Sequence, residues 1–283
     1  MRSTHSYPSI LAIAALAASA QAQLTYGLTD TQSLVTFDAA SPGTIQGGSF
    51  LSGLASGERA IGIDFRPATG ELFALGSQNN LYTVNPGTGA ATRVGSGFSD
   101  GLDGSSFGFD FNPTIDRIRV VSDADQNLVL NPITGGSTMV TDLFYRAGDA
   151  NEGADPNVAG SAYTNSVAGA TTTQLYGIDT GLDILVRQDN SAGTLDTVGA
   201  LGVDLTDVVG FDIDGSTNMA YAAVQDTALG RSTFWSIDLD TGAATQIGEV
   251  GGGALVGSIA IVPAPGTLAM LGLAGAFATR RRR

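Results

Sequence analysis

Gly62-Ile63-Asp64-Phe65-Arg66-Pro67 recurs as Gly108-Phe109-Asp110-Phe111-Asn112-Pro113 and again as Gly210-Phe211-Asp212-Ile213-Asp214-Gly215. Gly160-Ser161-Ala162-Tyr163 and Gly257-Ser258-Ile259-Ala260 are weaker copies, and the five leading glycines stand 46, 52, 50 and 47 residues apart. A period of this size is that of a propeller blade built from four strands. In the first period the strand-like runs are 62–66, 71–75, 80–84 and 91–94, with turns at Pro67-Ala68-Thr69-Gly70 and Asn85-Pro86-Gly87-Thr88-Gly89. Thr-Gly turns return at Thr134-Gly135, Thr180-Gly181 and Thr241-Gly242. The runs are short and rich in Val, Ile, Phe, Tyr and Thr, and no long helical periodicity interrupts them, which predicts an all-β chain.

The two ends set the number of blades. Residues 24–51 supply three strand-like runs, 24–28, 33–37 and 44–50, without a glycine-led first strand. Residues 257–262 are such a first strand with no partners after it. Pairing the two completes a fifth blade from both termini, closes the ring and removes free sheet edges. The expectation is therefore a five-bladed β-propeller closed by its terminal strands, with a β-sandwich or β-solenoid as the alternative.

Both extremities read as processing signals. Residues 10–20 form an apolar run too short to span a bilayer, preceded by Arg2 and followed by the small-x-small site Ala20-Gln21-Ala22. This predicts a signal peptide over 1–22, a domain over 23–262 and a tail over 263–283. The tail begins Pro263-Ala264-Pro265, continues through an uncharged stretch over 266–278, and ends in Arg280, Arg281, Arg282 and Arg283. That order of proline motif, hydrophobic segment and terminal arginines resembles the PEP-CTERM sorting tail of exported Gram-negative bacterial proteins, with Ala264 where the usual motif has glutamate. The resemblance implies transient membrane anchoring, handling by signal peptidase and an exosortase-like protease, and delivery to the cell envelope, cell surface or extracellular matrix.

Composition excludes more than it assigns. All 13 basic residues are arginine, there is no cysteine, and the one histidine, His5, falls within 1–22. Eight of the arginines lie between 23 and 262 against all 27 acids, so this span carries a net charge of −19. Such a surface repels nucleic acid and anionic lipid. A domain with no histidine, cysteine or lysine has no Ser-His-Asp or Cys-His mechanism, no Schiff base and no His/Cys zinc site. Carboxylate chemistry and oxygen-ligated metals such as calcium remain open to it.

Four groups of residues are candidates for function. Asp64, Asp110 and Asp212 hold one equivalent position in three first strands, where they can converge on the central channel as a cation site or acid–base pair. The same repetition suits a structural aspartate that accepts a hydrogen bond from the neighbouring blade. Asp123, Asp125 and Asn127 space oxygen ligands at every second residue, as a calcium loop begins. The later positions are Leu128 and Thr134, so this is no EF-hand, and a hairpin turn explains the same residues. Arg117 and Arg119, two apart on one strand, are expected to pair with carboxylates such as Asp116 or Asp142, or to receive an anionic ligand. The longer loop 145–157 carries Asp149, Glu152 and Asp155. Trp235, the one tryptophan, alternates within a strand and is expected in the packing between blades.

The run from residue 24 to 262 resembles a bacterial family known only as domain of unknown function 4394. The resemblance rests on residues 62–70, on Asp116-Arg117-Ile118-Arg119-Val120-Val121-Ser122, and on Tyr163-Thr164-Asn165 with Ala170-Thr171-Thr172-Thr173. The family brings no established activity and so no catalytic residue. The two sorting signals, one of them a resemblance, and the missing catalytic residue types favour an exported, non-catalytic propeller, sorted to the envelope or extracellular matrix, that binds a polysaccharide or protein partner. The rival is a calcium-dependent hydrolase or lyase of sugars or lactones that uses the channel aspartates, and a purely structural matrix protein is a third possibility.

Overall fold

The computed structural model describes residues 23–263. The segment 1–22 and the sorting residues Pro265 and Arg280 to Arg283 lie outside the described residues. The described chain folds into five small sheets arranged as a five-bladed β-propeller. Among the described residues there is no α-helix, only two three-residue 3-10 turns, Asn190–Ala192 and Gly251–Gly253.

Each blade begins at the axis and steps outward by antiparallel hairpins. The inner strands are Ala60–Phe65 in blade I, Phe107–Asn112 in blade II, Val158–Tyr163 in blade III, Val209–Ile213 in blade IV and Val256–Ile261 in blade V. Each lies beside the next, and the ring closes between blades V and I. Blade V is the composite one. Val256–Ile261 pairs with Leu24–Thr29, which continues to Ser33–Asp38 and Gly47–Phe50. Among the described residues, blade III alone has a fifth strand, Phe144–Tyr145, which runs parallel to its outer strand Thr194–Ala200.

The leading glycines have a steric origin. A Cβ on Gly108 would lie 2.6 Å from the Ser161 nitrogen of the next inner strand, and one on Gly210 would lie 2.7 Å from the Ile259 nitrogen. Five strands crowd round one axis, and a bare Cα is what lets neighbours approach so closely. These contacts also correct the register of the last copy. Gly210 meets Ser258 and Ile259, so Ser258 and not Gly257 is the counterpart of the leading glycines, and Ala260 is the counterpart of the aspartates. Here the Ser258 hydroxyl is useful, since it accepts a 3.0 Å hydrogen bond from the Ile63 nitrogen across the ring closure.

The apolar core is not a single mass but five wedges, one between each pair of blades. This follows from the pleat, because each strand sends alternate side chains to the two faces of its blade and each face meets a neighbour. Phe73 of blade I and Phe111 of blade II meet edge to face at 5.1 Å, as do Phe37 of blade V and Phe234 of blade IV at 5.2 Å. Trp235 packs against the wedge between blades III and IV, and its indole nitrogen donates to the Thr233 hydroxyl at 2.8 Å.

Candidate functional site

Asp64, Asp110 and Asp212 meet at the axis. They come from blades I, II and IV, and one carboxylate oxygen from each lies within 4.8 Å of the other two. Because blade V separates blade IV from blade I, the carboxylate of Asp212 approaches those of Asp64 and Asp110 across the axis. All three are buried, with 3%, 1% and 4% of their surface exposed.

Each carboxylate is also a strap to the next blade. Asp64 Oδ2 accepts from the Phe111 nitrogen at 2.7 Å, Asp110 Oδ1 from the Tyr163 nitrogen at 3.0 Å, and Asp212 Oδ2 from the Ile261 nitrogen at 2.6 Å. Asp64 and Asp212 accept a second bond from the nitrogens of Phe65 and Ile213, both at 2.6 Å. The strap has a sequence logic, since an inner strand presents one edge to its neighbour and an aspartate reaches the backbone there.

Burial pushes Asp64 and Asp110 well above the usual carboxylate range. Nearby charge adds to the rise, from Asp212 on Asp64, and from Asp64 and then Asp212 on Asp110. Burial likewise pushes Asp212 up to about 7, with Asp214 adding to it, while the backbone donors oppose the rise in all three. Three carboxylates this close in a dry site cannot all be charged unless a cation joins them. The set therefore holds shared protons or a hard cation, for which carboxylate oxygens are the fitting donors. A reaction partner would first have to reach the oxygens of residues that are only 1–4% exposed.

A second feature opens at one mouth of the same channel. The segments entering all five inner strands, Arg59 to Ile61, Ser105 to Phe107, Ala159, Asp207 to Val209 and Gly257, line a cavity of about 210 Å³. The triad lies about 10 Å further along the strands, three residues at roughly 3.3 Å each. Leu28, Ile61, Phe107 and Val208 supply apolar wall. Asp30, Arg59, Ser106, Asp207 and Gln225 supply polar groups. None of these stood out in the sequence. Their signal is positional, because the residues just before each repeated glycine must gather at one mouth once the glycines are placed at the axis.

Arg117 and Arg119 are placed differently from expectation, whereas residues 123–126 form the expected hairpin turn between Arg117–Ser122 and Asn127–Leu130. Asp116 pairs with Arg66, not with Arg117: Arg66 Nε donates to Asp116 Oδ1 at 2.8 Å, which ties blade I to blade II. Arg117 donates instead to the Asp116 carbonyl at 2.8 Å. Arg119 is buried, and its guanidinium donates to Asn127 Oδ1 at 2.6 Å and to the Tyr163 hydroxyl at 3.4 Å, with no carboxylate involved. The reason is position in the strand, since Arg119 faces blade III while Asp116 sits in the turn facing blade I.

Asp123, Asp125 and Asn127 diverge. Asp123 accepts from the Ser105 nitrogen and hydroxyl, at 2.8 and 2.5 Å, and Asn127 turns inward to Arg119. Asp125 has φ 63° in the turn, and burial followed by the charge of Asp155 raises it to about 6. In the loop after Tyr145, Asp149 accepts from the Thr197 nitrogen and hydroxyl, both at 2.7 Å, and Tyr145 donates to Asp179 at 2.5 Å. This loop is pinned to the outside of blade III and lies away from the channel.

A protein-family model described as Domain of unknown function (DUF4394) matches residues 33–260. No curated protein matches the chain in sequence. Among solved structures, hydrazine synthase of Kuenenia stuttgartiensis is similar at 14% identity and a TM-score of 0.41, over 72% of this chain and 51% of that one, so this chain spans about half its length. Glutaminyl cyclase of Myxococcus xanthus is similar at 13% identity and a TM-score of 0.42, over 67% of this chain and 76% of that one. A protein from Lactobacillus plantarum is similar at 15% identity and a TM-score of 0.42, over 85% and 71%. At these identities and scores none of their chemistry carries over.

Proposed function

This chain belongs to the DUF4394 family, and from that premise we propose that it is an exported, surface- or matrix-associated propeller that binds a polysaccharide or protein partner without altering it chemically. The observation that carries this reading is the sealing of the three channel aspartates. A general acid, base or nucleophile must come within about 2.6–3.2 Å of the reacting atom. Asp64, Asp110 and Asp212 are 1–4% exposed, and one oxygen of each accepts from the backbone of the next blade. The domain has no histidine, cysteine or lysine to act in their place.

The rival, a calcium-dependent hydrolase or lyase, draws on the same convergence of carboxylates within 4.8 Å. It requires the triad to open to a substrate. Calcium bound there as a structural ion is compatible with the non-catalytic reading. The net charge of −19 between 23 and 262 keeps nucleic acid outside the set of partners.

Export rests on the terminal segments. Protein recovered from its native host is expected to have an intact mass that lacks residues 1–22 and the tail over 263–283. Recovery of chains retaining Met1 and Arg283 would reject export. Binding is tested by co-sedimentation with the polysaccharide and protein fractions of the host matrix. Saturable retention by one of them is expected, and retention by neither would overturn the reading.

A further inference from the structure

We propose that the channel mouth is a subsite for one neutral sugar ring of a polysaccharide, with the Gln225 carboxamide as its hydrogen-bonding anchor. The inference rests on the binding reading above and names the ligand class and the place. Gln225 is 6% exposed, lines the cavity, and its side-chain amide forms no hydrogen bond to any described residue. Its backbone, by contrast, is fully engaged: the nitrogen donates to Val208 at 3.1 Å and the carbonyl accepts from the Thr206 hydroxyl at 2.8 Å. The amide facing the cavity therefore keeps its donor and acceptor groups for water or a ligand held there.

The chemistry of the lining narrows the ligand. An amide is donor and acceptor at once, and its natural complement is a hydroxyl, which is also both. A simple cation or anion would use half of it. The rim carries Asp30 and Asp207 against Arg59, and Arg59 already donates to the Asp30 carbonyl. Asp207 Oδ1 accepts from Thr180 at 2.7 Å and Asn157 at 3.1 Å. With one net negative charge at the rim and −19 over residues 23–262, a uronic acid or a phosphate is repelled where a neutral ring is not. Ile61, Phe107 and Val208 give an apolar wall for the C–H face of a pyranose. The volume of about 210 Å³ lies below the roughly 300 Å³ at which sites for drug-sized ligands begin. It suits one ring, with the rest of the chain left outside.

The test is calorimetric titration of the purified protein with hexasaccharides of glucose, of N-acetylglucosamine and of galacturonic acid, and with peptides from the host matrix protein fraction. Saturable binding of a neutral hexasaccharide is expected, weakened about tenfold or more in Gln225→Leu, a loss of the size seen when a hydrogen-bonded ligand hydroxyl loses its partner. A second variant, Val208→Trp, fills the mouth from an exposed rim position and is expected to abolish binding with the melting temperature unchanged. Unaltered affinity in both variants would overturn the site while leaving the binding reading intact. Binding of the galacturonate hexamer alone, or of peptides alone, would overturn the neutral-sugar assignment. Binding of none of the probes and of no matrix fraction would overturn this proposal and the reading beneath it together.

Discussion

Ending the chain at Gly253 is expected to leave a protein that is unfolded or aggregated, whereas ending it at Pro263 is expected to leave the melting temperature unchanged. The first cut removes the inner strand Val256–Ile261, which pairs with Leu24–Thr29 from Thr25 opposite Ile261 to Thr29 opposite Val256. Val256, Ile259 and Ile261 are buried to 0%, 2% and 5% exposure. At about 1.5–3 kcal/mol for each such side chain, their loss is on the order of 5–9 kcal/mol. That is comparable to the whole stability of a domain, about 5–15 kcal/mol. The cut also removes the acceptor that Ser258 offers to Ile63 and the donor that Ile261 offers to Asp212, and it leaves a free sheet edge on blade V. Denaturant melts and sedimentation of the two truncations decide the matter. Equal stability of both would rule out the closed ring.

Stability in the absence of divalent cations is expected to fall as pH rises from about 4 to about 7. The sign follows from proton counting. Asp212 is pushed up to about 7 in the fold, against 3.8 unperturbed, and Asp64 and Asp110 are also raised. Between the unfolded and folded values the native state holds more protons than the unfolded chain, so unfolding is favoured as protons are withdrawn. The stability these groups allow is full below about pH 4 and is lost as pH passes through the folded values. At 1.36 kcal/mol per unit, the rise in Asp212 alone corresponds to on the order of 4 kcal/mol.

Asp110→Asn is the diagnostic variant. Its oxygen can still accept from the Tyr163 nitrogen, and its amide can donate to a neighbouring carboxylate with no proton required. It is expected to be more stable than the parent at pH 8 and to show a shallower decline. A parent whose stability rises over the same window, or a variant weaker at pH 8, would contradict the account of the triad. Calcium, magnesium and sodium at matched ionic strength complete the experiment. An ion bound only by the fold raises stability by about 2.7 kcal/mol at a hundredfold excess over its dissociation constant. A calcium-specific gain at pH 8 that vanishes in Asp110→Asn places the ion among the aspartates. Its loss only in Asp123→Asn or Asp125→Asn places it in the loop.

The repeat was legible because its cause is local. Crowding at the axis demands a small residue at one point of every inner strand, and four glycines at a near-constant spacing record that demand. The terminal closure was legible for a related reason, since an unpaired strand at each end has one obvious partner. The last copy was misplaced by one residue because Ser258 meets the demand with a hydroxyl that accepts a bond, and a pattern keyed to glycine selects Gly257 instead. The aspartates were visible as equivalents. Their convergence on the channel was an expectation too, because first strands line it, but which blades face one another across the ring, and so how close the oxygens lie, was not legible. Arg66 with Asp116 is a contact between blades 50 residues apart, and spacing along one strand pointed to Arg117 and Arg119 instead. Gln225 carries no mark in the sequence at all, for its significance lies in having no partner inside the fold.

The claim that the channel aspartates hold the ring together and perform no chemistry is tested most directly by one paired measurement on the parent and Asp110→Asn. Each is incubated with the polysaccharide it retains, and bound sugar and newly released reducing ends are counted together at a pH where both are folded. Equal saturable binding by the two proteins, with no reducing ends released by either, is the expected result. Release of reducing ends by the parent that Asp110→Asn abolishes would contradict it, and would make the triad a reaction centre.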